Sequence, residues 1–319
     1  MNSIKTKGPE RDGKGKNMET KQKKKLFKGE RTASTIIICI CLAGFLLTVI
    51  FNIKWAMTLI LSALAATATF EVVRAVGSKS KLLYCISCAV SFFTVSAYGF
   101  GLELPSASVL YCIYAIVLMS LMVFFNKQIT FTHSSTAFFA SMALPFAFSC
   151  FLRLNNIEEW FPGYTHQEGI YFVGLGFACS WLTDSFAYLV GRKFGKHKMA
   201  PVISPKKSIE GAVGGVGIAA LFNVLILYLF VIGCKNLYGY DLFGGNKMVY
   251  IYIIPIAIIL SVVSMLGDLA ASVLKRNFGI KDYSQLLPGH GGIMDRFDSC
   301  TFVLPTLYCI LKLVADFNA

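Results

Sequence analysis

Long apolar runs separated by short polar segments fill the chain from residue 32 to its end. A helix of about 20 apolar residues crosses the hydrocarbon core of a bilayer. Nine runs approach this length, and the fifth, sixth and eighth have polar interruptions or indistinct ends. They lie at 33–52, 56–74, 82–100, 108–126, 134–153, 169–190, 211–233, 249–274 and 299–316. The pattern therefore predicts an all-α polytopic integral membrane protein with about nine transmembrane helices.

Composition supports a membrane location and divides the chain into three parts. Hydrophobic residues make up 55% of the chain and charged residues only 15%, which is more apolar than an ordinary soluble domain. Residues 1–31 hold eleven Lys or Arg against four acids and no apolar run, which predicts a basic, disordered cytoplasmic tail. An N-terminal transmembrane region, 32–168, and a C-terminal transmembrane region, 169–319, follow, and the second holds the candidate catalytic residues.

The distribution of Lys and Arg predicts the orientation of the helices. Alternate loops are rich in both residues, whereas the loops 101–107 and 155–168 contain neither and hold glutamates instead. The loop 234–248, with Lys235 and Lys247, is the exception. Because cytoplasmic loops carry the excess of Lys and Arg, we expect the N-terminus and the motif-rich loops in the cytoplasm. An odd number of spans then places the C-terminus outside.

Two further features of the composition are explained by the membrane. The net charge of +13 comes without an aromatic-interleaved basic face or zinc-finger spacing, so we expect no nucleic acid as a partner. Nine of the ten cysteines fall inside predicted spans and Cys234 lies at a span end. We therefore interpret the cysteines as small buried hydrophobic residues.

The densest group of charges lies between residues 267 and 298, at the end of the eighth run. Asp268, Ser272 and Lys275 are spaced by four and three residues, so they share one face of a helix. After a Pro-Gly-His-Gly-Gly turn, Asp295 and Asp298 open the next apolar run. Carboxylates beside cations at a membrane edge are expensive, and this pattern predicts a site that binds metal or phosphate.

A second charged segment follows the sixth run. Asp184 and Tyr188 share a helix face, and a lone carboxylate there needs a cation, a partner or a proton. Ser204, Lys206 and Lys207 lie just before the next predicted helix, where backbone amides can receive phosphate. The alternative interpretation is that such lysines only determine topology.

Three other polar residues have simple structural interpretations. Glu71 and Arg74, three residues apart in the second run, are typical of a structural pair or a span end. His290, between two glycine-containing dipeptides, can serve as a turn residue.

These segments resemble two signatures of the phosphatidate cytidylyltransferase family, the CDP-diacylglycerol synthases. The C-terminal signature, roughly S-x-x-K-R-x4-K-D and then H-G-G-x-x-D-R-x-D, is matched by Ser272, Lys275, Arg276, Lys281, Asp282, His290, Gly291, Gly292, Asp295, Arg296 and Asp298. The upstream signature, D-x-x-A-Y-x-x-G-R-x-x-G-K and then S-P-x-K-x-x-E-G, is matched by Asp184, Ala187, Tyr188, Gly191, Arg192, Gly195, Lys196, Ser204, Pro205, Lys207, Glu210 and Gly211. One position departs, because members often have glutamate where this chain has Ala271.

The resemblance implies transfer of CMP from CTP to phosphatidic acid, giving CDP-diacylglycerol and diphosphate, in the cytoplasmic membrane of a bacterium. It implies that Asp268 and Asp295 hold Mg²⁺, with a second metal ion or K⁺ beside it, and that Lys275 and Ser272 act with them in catalysis. The substrate-binding residues that it implies are Ser204, Lys206, Lys207, Arg276, Lys281, His290, Gly291, Gly292, Arg296, Asp184 and Tyr188. Expected partners are CTP, phosphatidic acid and membrane lipids, with a homodimer as one expected assembly.

Two other classes of function remain open at this point. A CTP-dependent lipid kinase, or a cytidylyltransferase for another lipid phosphate, would share a membrane cavity with paired aspartates. A secondary transporter would also place Asp184 and Asp268 on an ion path. Transporters of that kind are often built from repeated halves, and the sequence contains no internal repeat, which makes the transporter the weaker alternative.

Overall fold

The computed structural model of the chain describes residues 35, 39–102, 107–286 and 291–318. The basic tail 1–31 and His290, both singled out above, lie outside the described residues. The side chains of 107, 108, 317 and 318 are likewise outside the description.

Ten α-helices form the framework of the described chain. They are α1 Cys39–Ile50, α2 Lys54–Ala75, α3 Lys81–Gly99, α4 Ala107–Phe124, α5 Phe131–Asn155, α6 His166–Phe194, α7 Ile209–Tyr238, α8 Val249–Asn277, α9 Met294–Phe297 and α10 Cys300–Asn318. Short 3-10 turns cover Ile157–Glu159 and Leu242–Gly245. A helix therefore lies at each of the nine predicted apolar runs, and α9 is an additional short one.

Six of these helices, α2, α3, α5, α6, α7 and α8, are long and apolar enough to cross a membrane. Within the described residues, α1 and α4 form shorter apolar segments, and α10 is not among the six. Large side chains such as Val123, Leu221 and Phe124 are mostly exposed, as expected of helices that face lipid. The protein is therefore a helical integral membrane protein, with six spans supported by length and composition.

Small polar residues join the helices of the N-terminal half. The Ser96 hydroxyl donates to Ser62 at 2.9 Å between α3 and α2, and Thr69 and Ser91 lie 2.8 Å apart across the same pair of helices. All four side chains are buried. Interhelical hydrogen bonds between small residues are typical of packing in a bilayer, where apolar contact alone does not favour helix association.

The fold is helical, as predicted, and two short paired strands form the connection between α6 and α7. Strand β1, Lys198–Ala200, runs antiparallel to β2, Ser204–Ser208. Glu210 closes the base of this hairpin, because its carboxylate accepts the backbone N–H groups of Lys196 and His197 at 3.1 and 3.2 Å. The segment is too short and too polar to continue a transmembrane helix, and pairing satisfies its backbone groups.

Two glycine contacts bring the site-bearing helices together. A Cβ atom at Gly211 of α7 would lie 2.6 Å from the carbonyl oxygen of Ala187 in α6. A Cβ atom at Gly267 of α8 would lie 2.9 Å from the Phe302 ring of α10 and 3.2 Å from the Asp298 carbonyl oxygen. At Gly211 only glycine permits the two backbones to approach this closely, and at Gly267 the missing side chain leaves room for the Phe302 ring. The contacts therefore fix Asp184 beside the hairpin and Asp268 beside the start of α10.

Candidate active site

The hairpin delivers one lysine to the end of α8. Lys207 of β2 forms an ion pair with Asp268, and both side chains are 23% exposed. Its neighbour Lys206 is exposed. Adjacent residues of a strand point to opposite sides, so only one of the two lysines can face the bundle. The structure thus separates the roles of two lysines that the sequence treats alike.

A second lysine, Lys275, lies about two helical turns beyond Asp268 along α8, beside carboxylates in and directly after α9. The Lys275 ammonium lies 2.9 Å from Asp295 Oδ1 and 3.9 Å from Asp298 Oδ2. The three side chains are only 8 to 13% exposed. Since such charges are costly to remove from water, the Lys275 ammonium is needed to compensate the buried carboxylates.

Asp295 also organises the loop that follows α8. Its second oxygen, Oδ2, accepts the backbone N–H of Tyr283 at 2.9 Å and that of Gly292 at 3.0 Å. Both oxygens of Asp295 are therefore engaged, one by a lysine and the other by two amides. Gly291, at φ +84°, adopts the left-handed conformation that lets the chain turn toward this carboxylate.

Asp184 of α6 completes the group of acidic residues. It lies close enough to Lys207, Asp268 and Ser299 to interact with each of them. Asp298, which follows α9, has a pKa raised to about 7, because burial and the negative charge of Asp268 oppose its ionisation more than Lys275 favours it. Four carboxylates, three on helices and Asp298 directly after α9, therefore converge with two lysines at one end of the bundle.

The donor chemistry of this group fits a hard cation, since Mg²⁺ prefers carboxylate oxygens. In the described parts of the chain, however, no three His, Cys, Asp or Glu side chains are arranged closely enough to enclose a metal ion. The two predicted metal ligands each face a lysine instead, Asp268 facing Lys207 and Asp295 facing Lys275. The Ser299 hydroxyl is buried without a regular hydrogen bond and adds an oxygen next to Asp184.

The remaining predicted site residues are distributed around this group. Ser272 is half-buried on the α8 face between Asp268 and Lys275, and Ser204 is half-buried at the start of β2. The Arg276 guanidinium donates to the Ile280 carbonyl oxygen at 3.3 Å. Tyr188 is 59% exposed, and Arg296 is also exposed.

Lys281 lies on a cavity of about 770 Å³ between the end of α2 and the loop 280–286. Glu71 and Arg74 line the same cavity on the α2 side. Sequence interpretation missed the role of Glu71, which accepts hydrogen bonds from residues more than 200 positions away instead of pairing with Arg74. The one signal available was a carboxylate placed inside an otherwise apolar run.

Comparison with known proteins identifies the family. The sequence model of the family described as "Cytidylyltransferase family" matches residues 30–314. The "Phosphatidate cytidylyltransferase" of Bacillus subtilis (strain 168) is 33% identical over 276 residues, which cover 84% of this chain and 93% of that protein. Proteins of the same name from Staphylococcus aureus (strain COL) and Staphylococcus saprophyticus are 48% and 46% identical over 147 residues, about half of each chain. The chain therefore belongs to the cytidylyltransferase family.

Proposed function

We propose that this protein transfers CMP from CTP to phosphatidic acid and releases diphosphate. The observation that carries the proposal is the convergence of Asp184, Asp268, Asp295 and Asp298 with Lys207 and Lys275 at one end of an apolar helix bundle. The names of the relatives give the substrate class. A polar site at a membrane edge suits a reaction between a soluble nucleotide and a lipid phosphate.

The reaction needs charge neutralisation more than proton transfer. The second pKa of a phosphate monoester is about 6, so phosphatidate is largely a dianion at neutral pH and already nucleophilic. One of its oxygens forms a bond to the α-phosphorus of CTP, and the electron pair of the broken P–O bond leaves with diphosphate. Lys207 and Lys275 would offer ammonium groups to the phosphate oxygens, since two polyanions must approach one another.

The carboxylates hold these lysines in place before substrate arrives. Asp268 fixes Lys207, and Asp295 with Asp298 fixes Lys275, so both ammonium groups are already directed to one region. Asp268 and Asp295, with Asp298 nearby, would hold Mg²⁺, whose charge would help to neutralise the triphosphate and the developing charge. A second metal ion or K⁺ remains part of this proposal.

We infer that the site faces the cytoplasm. The end of the bundle that holds Lys207 and Lys275 also holds the cations of the hairpin and of the α2–α3 connection, Lys79 and Lys81. At the opposite end, Lys54 pairs with Glu159 and Glu168 caps α6. The positive-inside rule therefore favours a cytoplasmic site, where CTP is available, and a C-terminus on the outer face.

The decisive experiment uses CTP labelled at two different phosphates. Purified protein is incubated with phosphatidic acid, Mg²⁺ and CTP carrying ³²P at either the α or the γ position, and the lipid is extracted. Label in the lipid from α-labelled CTP alone supports cytidylyl transfer. Label from γ-labelled CTP alone would indicate a lipid kinase, and no label from either would exclude both activities with this lipid. Replacing phosphatidic acid by another lipid phosphate tests the remaining alternative.

Light scattering of the purified protein in detergent tests the predicted homodimer.

A further inference from the structure

Glu71 is a buried carboxylate at the end of α2 whose three hydrogen bonds all come from the C-terminal part of the chain. Its side chain belongs to a residue only 2% exposed. Oε1 accepts the backbone N–H of Ile293 at 3.0 Å, and Oε2 accepts that of Met294 at 2.8 Å. The Ser284 hydroxyl donates to Oε1 at 2.5 Å. A buried carboxylate is tolerated when donors replace its water in this way.

The contact between Glu71 and the start of α9 is tight. A Cβ atom at Gly292 would lie 2.5 and 2.6 Å from the two carboxylate oxygens of Glu71. Such a distance is far inside van der Waals contact, so any side chain at this position would have to displace the Glu71 carboxylate from its hydrogen bonds. The backbone of residues 292–294 therefore lies directly against the Glu71 carboxylate.

The segment held by Glu71 carries two of the four acidic residues of the site, Asp295 and Asp298. Met294 precedes Asp295 directly, and Asp298 lies one helical turn beyond Met294. On the other side, Ser284 follows Tyr283, whose N–H binds Asp295. Glu71 thus fixes the polypeptide on both sides of the Asp295 carboxylate, from a helix that contributes no other hydrogen bond or ion pair to the acidic group among the described contacts.

We propose that Glu71 is a positioning residue for cytidylyl transfer, which sets Asp295 and Asp298 against Lys275 by holding the backbone that bears them. The inference rests on the proposed function for its activity readout. In this proposal the N-terminal half of the chain contributes to the site through one side chain, that of Glu71. It also accounts for a carboxylate in an apolar helix that neither pairs with Arg74 nor serves as a helix cap.

The matched control for Glu71 is Glu168, at the opposite end of the bundle. Glu168 is also buried, at 3% exposure, and its carboxylate accepts the backbone N–H groups of Thr165 and Phe243 at 2.7 and 2.6 Å. Glutamine in either position keeps one acceptor oxygen but directs an N–H₂ group at a backbone donor. The two substitutions therefore remove equivalent interactions, one beside the acidic group and one far from it.

The experiment compares Glu71→Gln with Glu168→Gln by two measurements. Deuterium exchange is followed for the amides of 292–299, and CMP transfer is measured for kcat and KM. For Glu71→Gln we expect faster exchange in 292–299 and a kcat reduced about tenfold or more, with a smaller change in the KM for CTP. For Glu168→Gln we expect both quantities to stay near those of the unaltered protein.

Glu71→Asp and Ser284→Ala keep the test decisive if the glutamine variant does not fold. Aspartate keeps the charge and should retain part of the turnover, and Ser284→Ala removes only the hydroxyl contact and should give a smaller loss of the same kind. Exchange and kcat in Glu71→Gln that equal those of Glu168→Gln would overturn the proposal. If the unaltered protein transfers no CMP, the proposed function fails, and the exchange arm still decides whether Glu71 holds the segment.

Discussion

Asp268 and Asp295 were predicted as a pair, but their surroundings differ. Asp268 meets Lys207 from the hairpin, whereas Asp295 is only 8% exposed and binds Lys275 together with two backbone amides. Losing the negative charge at Asp295 therefore removes an ion pair and weakens two hydrogen bonds in the loop. The same loss at Asp268 removes one ion pair, that with Lys207.

We expect Asp268→Asn and Asp295→Asn each to lower CMP transfer by about a thousandfold, because the charge that orients a lysine and binds a hard cation is lost. Asp295→Asn should in addition destabilise the protein by about 1–3 kcal/mol, because buried donors lose a charged acceptor. Turnover over a Mg²⁺ titration and thermal unfolding in detergent measure the two effects. Asp241→Asn, at an exposed pair with Lys235 on the opposite end, is the control and should change neither. Normal turnover with unchanged Mg²⁺ dependence in both site variants would refute the metal assignment.

Gly292 tests the packing around Glu71 without altering a charge. Its added Cβ would meet both carboxylate oxygens, which three hydrogen bonds hold in place, so Gly292→Ala should destabilise the protein by about 1–3 kcal/mol and reduce turnover. A Cβ atom added at Gly217 of α7 would have nothing within 4 Å, so Gly217→Ala should leave the stability of the protein unchanged or slightly raise it. Thermal unfolding and CMP transfer of the two variants are compared. Equal unfolding temperatures of the two variants would contradict a tight contact between Gly292 and the Glu71 carboxylate.

The hairpin between α6 and α7 directs only one of its two adjacent lysines, Lys207, toward the helix bundle. The sequence Ser-Pro-Lys-Lys-Ser reads as an undifferentiated basic segment, and only the pairing of β2 with β1 separates the inward Lys207 from the exposed Lys206. Glu210 and the close approach of Gly211 to α6 then hold the hairpin against the bundle. Strand geometry therefore decides which of two identical side chains belongs to the site.

The hairpin predicts unequal effects for its two lysines. Lys207→Ala should lower the kcat/KM for CTP by at least about tenfold, because Asp268 loses its partner and the phosphates lose a cation. Lys206→Ala should change the same quantity by less than about threefold, since an exposed lysine contributes little beyond general attraction. Steady-state kinetics of the two single variants, prepared in parallel, give the comparison. A larger loss in Lys206→Ala than in Lys207→Ala would mean that the hairpin presents its other side to the substrates.

Local sequence patterns located the helices, and six of the nine predicted spans are long and apolar enough to cross a membrane. The charged signatures also located the residues that meet at α8 and α9, since they lie within about 30 residues of one another. Two features could not be read in this way. The hairpin strands lack the alternation of apolar and polar residues that predicts a strand. The contact of Glu71 with Met294 joins positions 223 residues apart, and the sequence of α2 does not indicate which segment it packs against. Such contacts follow from how helices are placed around each other.

The whole molecule is polarised between its two ends. One end holds the hairpin, the acidic group, Lys207 and Lys275. The other holds Lys54–Glu159, Glu168 and an arginine, Arg153, enclosed by the rings of Tyr98, Trp160 and Tyr308 at 4.4 to 5.2 Å. Aromatic side chains around a cation at a helix end are typical of a membrane interface. The two ends of the bundle are therefore chemically distinct, and labelling from one side of the membrane can distinguish them.

Two exposed positions report on the orientation. Val202, 91% exposed between the hairpin strands, lies at the site end, and Glu158 lies exposed at the opposite end. In intact cells, a membrane-impermeant maleimide should label Glu158→Cys but not Val202→Cys, and permeabilisation should expose both, because Lys and Arg concentrate on the cytoplasmic side. The parent chain, with its ten native cysteines, is labelled in parallel to measure the background. Labelling of Val202→Cys alone in intact cells would invert the orientation and place the carboxylates away from cytoplasmic CTP. Labelling of both from outside would refute the assignment of the two positions to opposite sides of the membrane.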